Sequence, residues 1–170
     1  MSGTMGVKWK TVKDNFPSME RTIKNLDGRK VTVGCLEGEH AWLAAIHEYG
    51  CRINVTPKMR AFLHHKGLHL KPETTVIVIP ERSFLRAGHD EHCDEVLNKT
   101  EVLLEDVLGG TMSEEQFLKT VGILLSSKIK DYATNLKDPP NHPFTQSQKG
   151  SSNPLWDTGQ MIGGITYEIE

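Results

Sequence analysis

The chain has 170 residues, 37% of them hydrophobic, which suits one domain with a sizeable core. Lys plus Arg number 20 and Asp plus Glu 22, a formal net charge of -2 that excludes a general nucleic-acid binder working by phosphate neutralisation. Apolar runs such as Val76-Ile77-Val78-Ile79 are too short to cross a bilayer, and Met1-Ser2-Gly3-Thr4-Met5 lacks the apolar stretch of a signal peptide, so a reducing cytoplasm is expected.

The first expected helix covers 17–26. Phe16-Pro17-Ser18 is its start signal, and Met19, Ile23 and Leu26 share one face. Asp27-Gly28 turns the chain into a strand over 30–36, where Val31, Val33 and Cys35 alternate with Lys30, Thr32 and Gly34. A short helix over 41–49 carries Trp42, Ala45, Ile46 and Tyr49 and closes at Gly50. Ile53 and Val55 suggest a brief strand, and Pro57 opens a short helix through Leu63. Residues 74–79 are β-branched throughout, a strand stopped by Pro80.

Two longer helices follow. Asp90 is placed to cap one over 90–108, with Cys93, Val96, Leu97, Leu103, Leu104, Val107 and Leu108 as its apolar side. A capping box, Ser113 with Gln116, opens the second over 113–134, and Phe117, Leu118, Val121, Leu124, Leu125, Ile129 and Tyr132 trace its face. Residues 137–153 read as a long polar arm containing Pro139, Pro140 and Pro143. The terminal strand, 165–169, turns Ile165, Tyr167 and Ile169 inward. The expected fold is a single α+β domain over 1–170. Its small, mainly antiparallel sheet is built from 30–36, 74–79 and 165–169, with the two long helices on one face. A segment of about 53–75 is inserted, and the polar arm of about 137–153 extends away.

Chemical signatures are sparse. Leu155-Trp156-Asp157-Thr158-Gly159 contains the Asp-Thr-Gly of aspartic peptidases, whose dyad needs two carboxylates sharing a proton. One copy per chain would require a dimer, and the eleven residues after Gly159 are few for the strands behind such a loop, so Asp157 is expected to cap a short helix through Met161. His89, His92 and Cys93, with His64, His65 or His69 as a fourth, could be offered to zinc. His92 and Cys93 are adjacent, however, and point about 100° apart on a helix, which fits no standard zinc spacing. His47-Glu48-Tyr49-Gly50-Cys51 starts like a zincin helix but puts Cys51 where the second histidine belongs. Cys35, Cys51 and Cys93 never form a C-x-x-C pair and read as free thiols. Arg60, His64, His65, Lys66, His69 and Lys71 form a modest positive cluster without stacking aromatics, which reads as a solvated surface. No catalytic group, cofactor or metal is expected.

The order of three motifs is more telling. Ala44-Ala45-Ile46-His47-Glu48-Tyr49-Gly50 comes first, then Ile79-Pro80-Glu81-Arg82-Ser83-Phe84-Leu85-Arg86. Lys149-Gly150-Ser151-Ser152-Asn153-Pro154-Leu155-Trp156-Asp157-Thr158-Gly159-Gln160-Met161 and a terminal strand follow. This series resembles the neck and tail-completion (virion morphogenesis) proteins of tailed bacteriophages and prophages, from roughly Ala44 onward. Glu81 and Ser83 depart from the commoner Ala and Pro of that family, as Gly163-Gly164 do from a polar pair.

The resemblance implies a non-enzymatic virion protein, assembled in the host bacterial cytoplasm as a ring between head connector and tail. Its implied partners are further copies of itself, the adjacent head-connector protein and a tail-terminator or tail-tube protein. Neither a membrane nor sequence-specific nucleic acid is among them, though the ring could passively line the DNA channel. His47, Glu48, Tyr49 and Gly50, with Leu155, Asp157, Thr158 and Gly159, would be the structural motif residues. Candidate interface residues are Pro80, Arg82, Phe84, Leu85 and Arg86 from the turn, and Pro139, Pro140, His142 and Phe144 from the arm. Apolar anchors with charged edges are enriched at interfaces.

Overall fold

Residues 15–170 are described by the structure, a computed structural model; the Met1-Ser2-Gly3-Thr4-Met5 stretch lies outside them. In chain order the elements are α1 (Phe16–Leu26), β1 (Val31–Gly34), α2 (Gly38–Tyr49), β2 (Cys51–Asn54), α3 (Pro57–His65) and β3 (Val76–Ile79). Then come α4 (Phe84–Gly109), α5 (Glu114–Asn135), α6 (Pro143–Lys149), α7 (Gln160–Gly163) and β4 (Thr166–Ile169). The fold is α+β.

The α4–α5 hairpin is the frame. Gly110, at φ 77°, ends α4 in the left-handed conformation that a residue without Cβ adopts freely. Three residues on, the Ser113–Gln116 capping box starts α5, the Ser113 Oγ accepting from the Gln116 N–H at 3.2 Å and the Gln116 Oε1 from the Ser113 N–H at 3.0 Å. Phe84 and Val96 of α4 and Leu125, Ile129 and Ala133 of α5 meet Ala44, Leu155, Met161, Ile162 and Ile165 in the core. Each large member of that cluster contributes about 1.5–3 kcal/mol of burial.

β1 and β4 pair antiparallel, from Val31 opposite Ile169 to Gly34 opposite Thr166, and the ribbon lies on α5. There the Tyr167 ring occupies the space above Gly122, where any Cβ would overlap it.

The three-stranded sheet expected from the sequence does not form. β3 pairs with β2, from Cys51 opposite Ile79 to Asn54 opposite Val76, in a separate two-stranded sheet. The reason is local. Residues 51–79 close on themselves as a β2–α3–β3 unit: Val55 N–H donates to Thr75 O at 2.8 Å, and the Arg60 guanidinium donates to the carbonyls of Leu70, Lys71 and Thr74 at 2.6–3.1 Å. The expected insertion of 53–75 is therefore the body of this unit. Arg60, counted in the positive cluster, is its clasp.

Other expectations also need correction. α4 starts at Phe84 rather than Asp90, and Leu97, expected on its apolar side, is 52% exposed. Asp157 caps nothing: α7 begins after Gly159, whose φ is 81°, and no side-chain cap is made. The arm of 137–153 is not extended. It contains α6 and is pinned by Asn153 Nδ2 to Thr134 O at 2.6 Å and by Lys149 Nζ to the carbonyls of Asn153 and Pro154 at 3.2 and 3.1 Å. The dense turn chemistry of Asn153-Pro154 accounts for this, since Asn153 Oδ1 also accepts from the Leu155 and Trp156 N–H groups. No helix of the described residues is long and apolar enough to cross a membrane.

Candidate functional site

The three sequence motifs meet in space, and two buried charges join them. Glu48, on the inward face of α2, is 2% exposed. Its carboxylate accepts from Ser83 Oγ at 2.8 Å, Leu85 N at 2.8 Å, Arg86 N at 3.1 Å and Arg86 Nε at 2.9 Å. The first N–H groups of any helix lack intrahelical partners, and the macrodipole makes that end positive. Ser83, the N-cap of α4, makes no side-chain cap of its own, so the carboxylate of another helix does the capping. This is why α4 begins at Phe84. Burial pushes the Glu48 carboxyl up, but the Leu85 and Arg86 amides, the Arg86 guanidinium and the Ser83 hydroxyl together hold it below its ordinary value.

Arg82 is the second buried charge, 3% exposed, and its partners are neutral. Nε donates to Pro139 O at 2.7 Å, while Nη2 donates to Pro140 O at 3.2 Å and Asn141 Oδ1 at 3.1 Å. Nη1 lies 3.3 Å from His47 Nδ1. Burial lowers the Arg82 pKa, yet a guanidinium stays charged at any physiological pH. His47 is lowered to about 4, by burial first and then by the charges of Arg82 and Lys149. The ring is therefore neutral near pH 7, with Nδ1 accepting from Arg82 and the proton on Nε2. Arg82 N–H also donates to His47 O at 2.7 Å.

Gly50 lets α2 run directly into β2 beside this junction. Its φ is 71°, and a Cβ there would sit 2.9 Å from Glu81 N and Ile79 O. Between β3 and the arm, His47, Ile79, Pro80, Arg82, Pro140 and His142 help line an open groove of about 560 Å³.

The expected site residues divide into two groups. Phe84 is fully enclosed, Arg82 is bonded to the arm carbonyls and the half-buried Leu85 packs against the core, so all three make contacts within the subunit. Pro80, Pro139 and Phe144 are half-buried, whereas Arg86, Pro140 and His142 are exposed. Tyr49 is exposed, with the Arg86 guanidinium 4.9 Å from its ring centroid. Leu155 is buried, Asp157 and Thr158 are exposed, and Trp156 packs over Gly159.

Among the described residues no three His, Cys, Asp or Glu side chains are disposed to hold a metal. His89 is exposed beside Asp90, His92 lies between Glu91 and Glu95, and all three cysteines are free. The sequence reading missed the arm's anchors, Asn141, Lys149 and Asn153; an asparagine directly before proline was the available signal. Comparison with family models, with curated proteins and with solved structures finds no match for the chain.

Proposed function

We propose that this chain is a structural subunit of a tailed-phage or prophage-derived particle, forming a ring at the neck that joins head connector to tail. The supporting observation is the convergence of its three motifs on one junction. His47 and Glu48, Arg82 to Arg86, and the arm with Asn153 and Pro154 belong to distant parts of the chain, yet they share one hydrogen-bonded network. The Glu48 carboxylate and the Arg82 guanidinium are both engaged in holding α2, α4 and the arm in register, the work of a scaffold.

Surface composition supports the same reading. α2 buries Ala44 and Glu48 but turns Trp42, 70% exposed, together with Leu43 and Tyr49 to the outside. Large apolar side chains grouped on one face of a single subunit mark association surfaces. A ring at the neck would be assembled in the bacterial cytoplasm, carried in the virion, and need no cofactor. Its partners would be its own copies, the connector and a tail-terminator or tail-tube protein, and its bore could line the DNA channel. Disrupting the coding sequence in the producing phage tests this. Filled heads and finished tails that fail to join, with joining restored by the protein supplied in trans, support the assignment; normal particles overturn it.

A further inference from the structure

The β2–α3–β3 unit and the α4–α5 hairpin present opposite surfaces that fit one another. Lys58 and Phe62 of α3 and Lys66, its C-cap, stand one turn apart and exposed, Phe62 at 58%. Lys66 Nζ reaches to 5.9 Å from the Phe62 ring centroid. The whole unit carries Arg52, Lys58, Arg60, Lys66 and Lys71 against Glu73 alone. It is an aromatic knob with basic shoulders.

The complementary surface lies along α4. A groove of about 220 Å³, the scale of one aromatic side chain, is lined by Leu97, Leu104 and Phe117 with Glu101 at its rim. Asp94, Glu101 and Glu105 are exposed along the same side of the helix, at i, i+7 and i+11. Other acids on α4 are already engaged: Glu95 pairs with Lys99 and Lys128, and Asp90 with His89. Lys58, Lys66, Asp94, Glu101 and Glu105 form no ion pair among the described residues.

We infer that the occupant of the α4–α5 groove is a second copy of this chain, whose Phe62 enters between Leu97 and Phe117 while Lys58 and Lys66 meet Asp94, Glu101 and Glu105. Charge complementarity selects this occupant, because the chain itself carries the basic aromatic knob that an acid-rimmed apolar groove accepts. Knob and groove are different surfaces, so the contact is head-to-tail and propagates into a ring when its rotation closes. The inference deepens the ring reading above and rests on it. It supplies the subunit contact which that reading requires.

Charge reversal tests the contact with purified full-length protein, followed by sedimentation velocity at low and high salt. The wild type should self-associate, and salt should weaken it. Lys58→Glu with Lys66→Glu, and separately Glu101→Lys with Glu105→Lys, should each weaken association about a hundredfold or more, with unchanged circular dichroism. Mixing the two variants should restore assembly, because the acidic knob of one then meets the basic groove of the other. Phe62→Ala should also abolish association. An oligomer indifferent to both reversals overturns the docking while leaving the ring reading in place. A wild type that stays monomeric at millimolar concentration and low salt overturns the docking too, and the ring reading then depends on the particle phenotype.

Discussion

Replacing the buried Glu48 with alanine should destabilise the protein far more than removing an exposed carboxylate such as Glu81. The carboxylate receives four hydrogen bonds, but their loss is not uniform in cost. Arg86 is half-exposed and Ser83 half-buried, so both can turn to water. The Leu85 and Arg86 amides are fixed in the first turn of α4 and cannot. Two stranded backbone donors at roughly 1–3 kcal/mol each put the loss at about 3 kcal/mol. Glu48→Gln keeps one acceptor oxygen but loses the charge that faces the helix dipole, so about half that loss is expected. Urea denaturation followed by circular dichroism reads the difference: at a slope of roughly 2 kcal/mol/M, the midpoint for Glu48→Ala should fall by about 1.5 M. Glu81→Ala, which removes only the exposed partner of Arg86, serves as the control and should leave the midpoint in place. Equal effects from Glu48→Ala and Glu81→Ala would refute a capping role for this carboxylate.

Acid should loosen the same junction. The folded His47 pKa of about 4 lies below the ordinary value of 6.5, so the unfolded chain binds more protons between those limits and stability falls as pH drops from 6.5 towards 4. With the ring only part-buried and the shift discounted for solvent, the loss is about 2 kcal/mol, and His47→Gln should flatten that limb of a stability–pH curve. Glu48, held low in the folded state, adds a loss in the same direction as it protonates. Gly122→Ala should cost about 2 kcal/mol by driving a methyl group into the Tyr167 ring; calorimetry should show less of that penalty once Tyr167→Ala has cleared the site. Arg60→Ala should speed amide exchange across 66–75 while leaving α4 and α5 protected, because the lost bonds all close that one loop.

Helices whose start and stop are local were readable from the residues alone. The Ser113–Gln116 box, the apolar face of α5 and the alternation of Ile165, Tyr167 and Ile169 all rest on neighbours within a few positions. What escaped was decided at a distance. Asp90 looked like a cap because it precedes acidic residues, but the real cap of α4 is Glu48, 35 residues before Ser83. The pairing of β3 was equally hidden, since a β-branched run satisfies any sheet, and Arg60, clasping the long connection between β2 and β3, chooses the partner. Asp157 has the look of a cap in the sequence, but the residue that precedes α7 is Gly159, which makes no side-chain cap. The motif residues themselves were legible. Their role as a clamp on the arm was not, because Arg82 acts through backbone carbonyls that any sequence would carry.

Cryo-electron microscopy of the intact particle tests the central claim most directly. The account predicts a closed ring of this chain at the junction of head and tail, with the β2–α3–β3 unit of each subunit seated on α4 and α5 of the next. A neck without this chain, or the protein recovered only as a monomer free of particles, would contradict it.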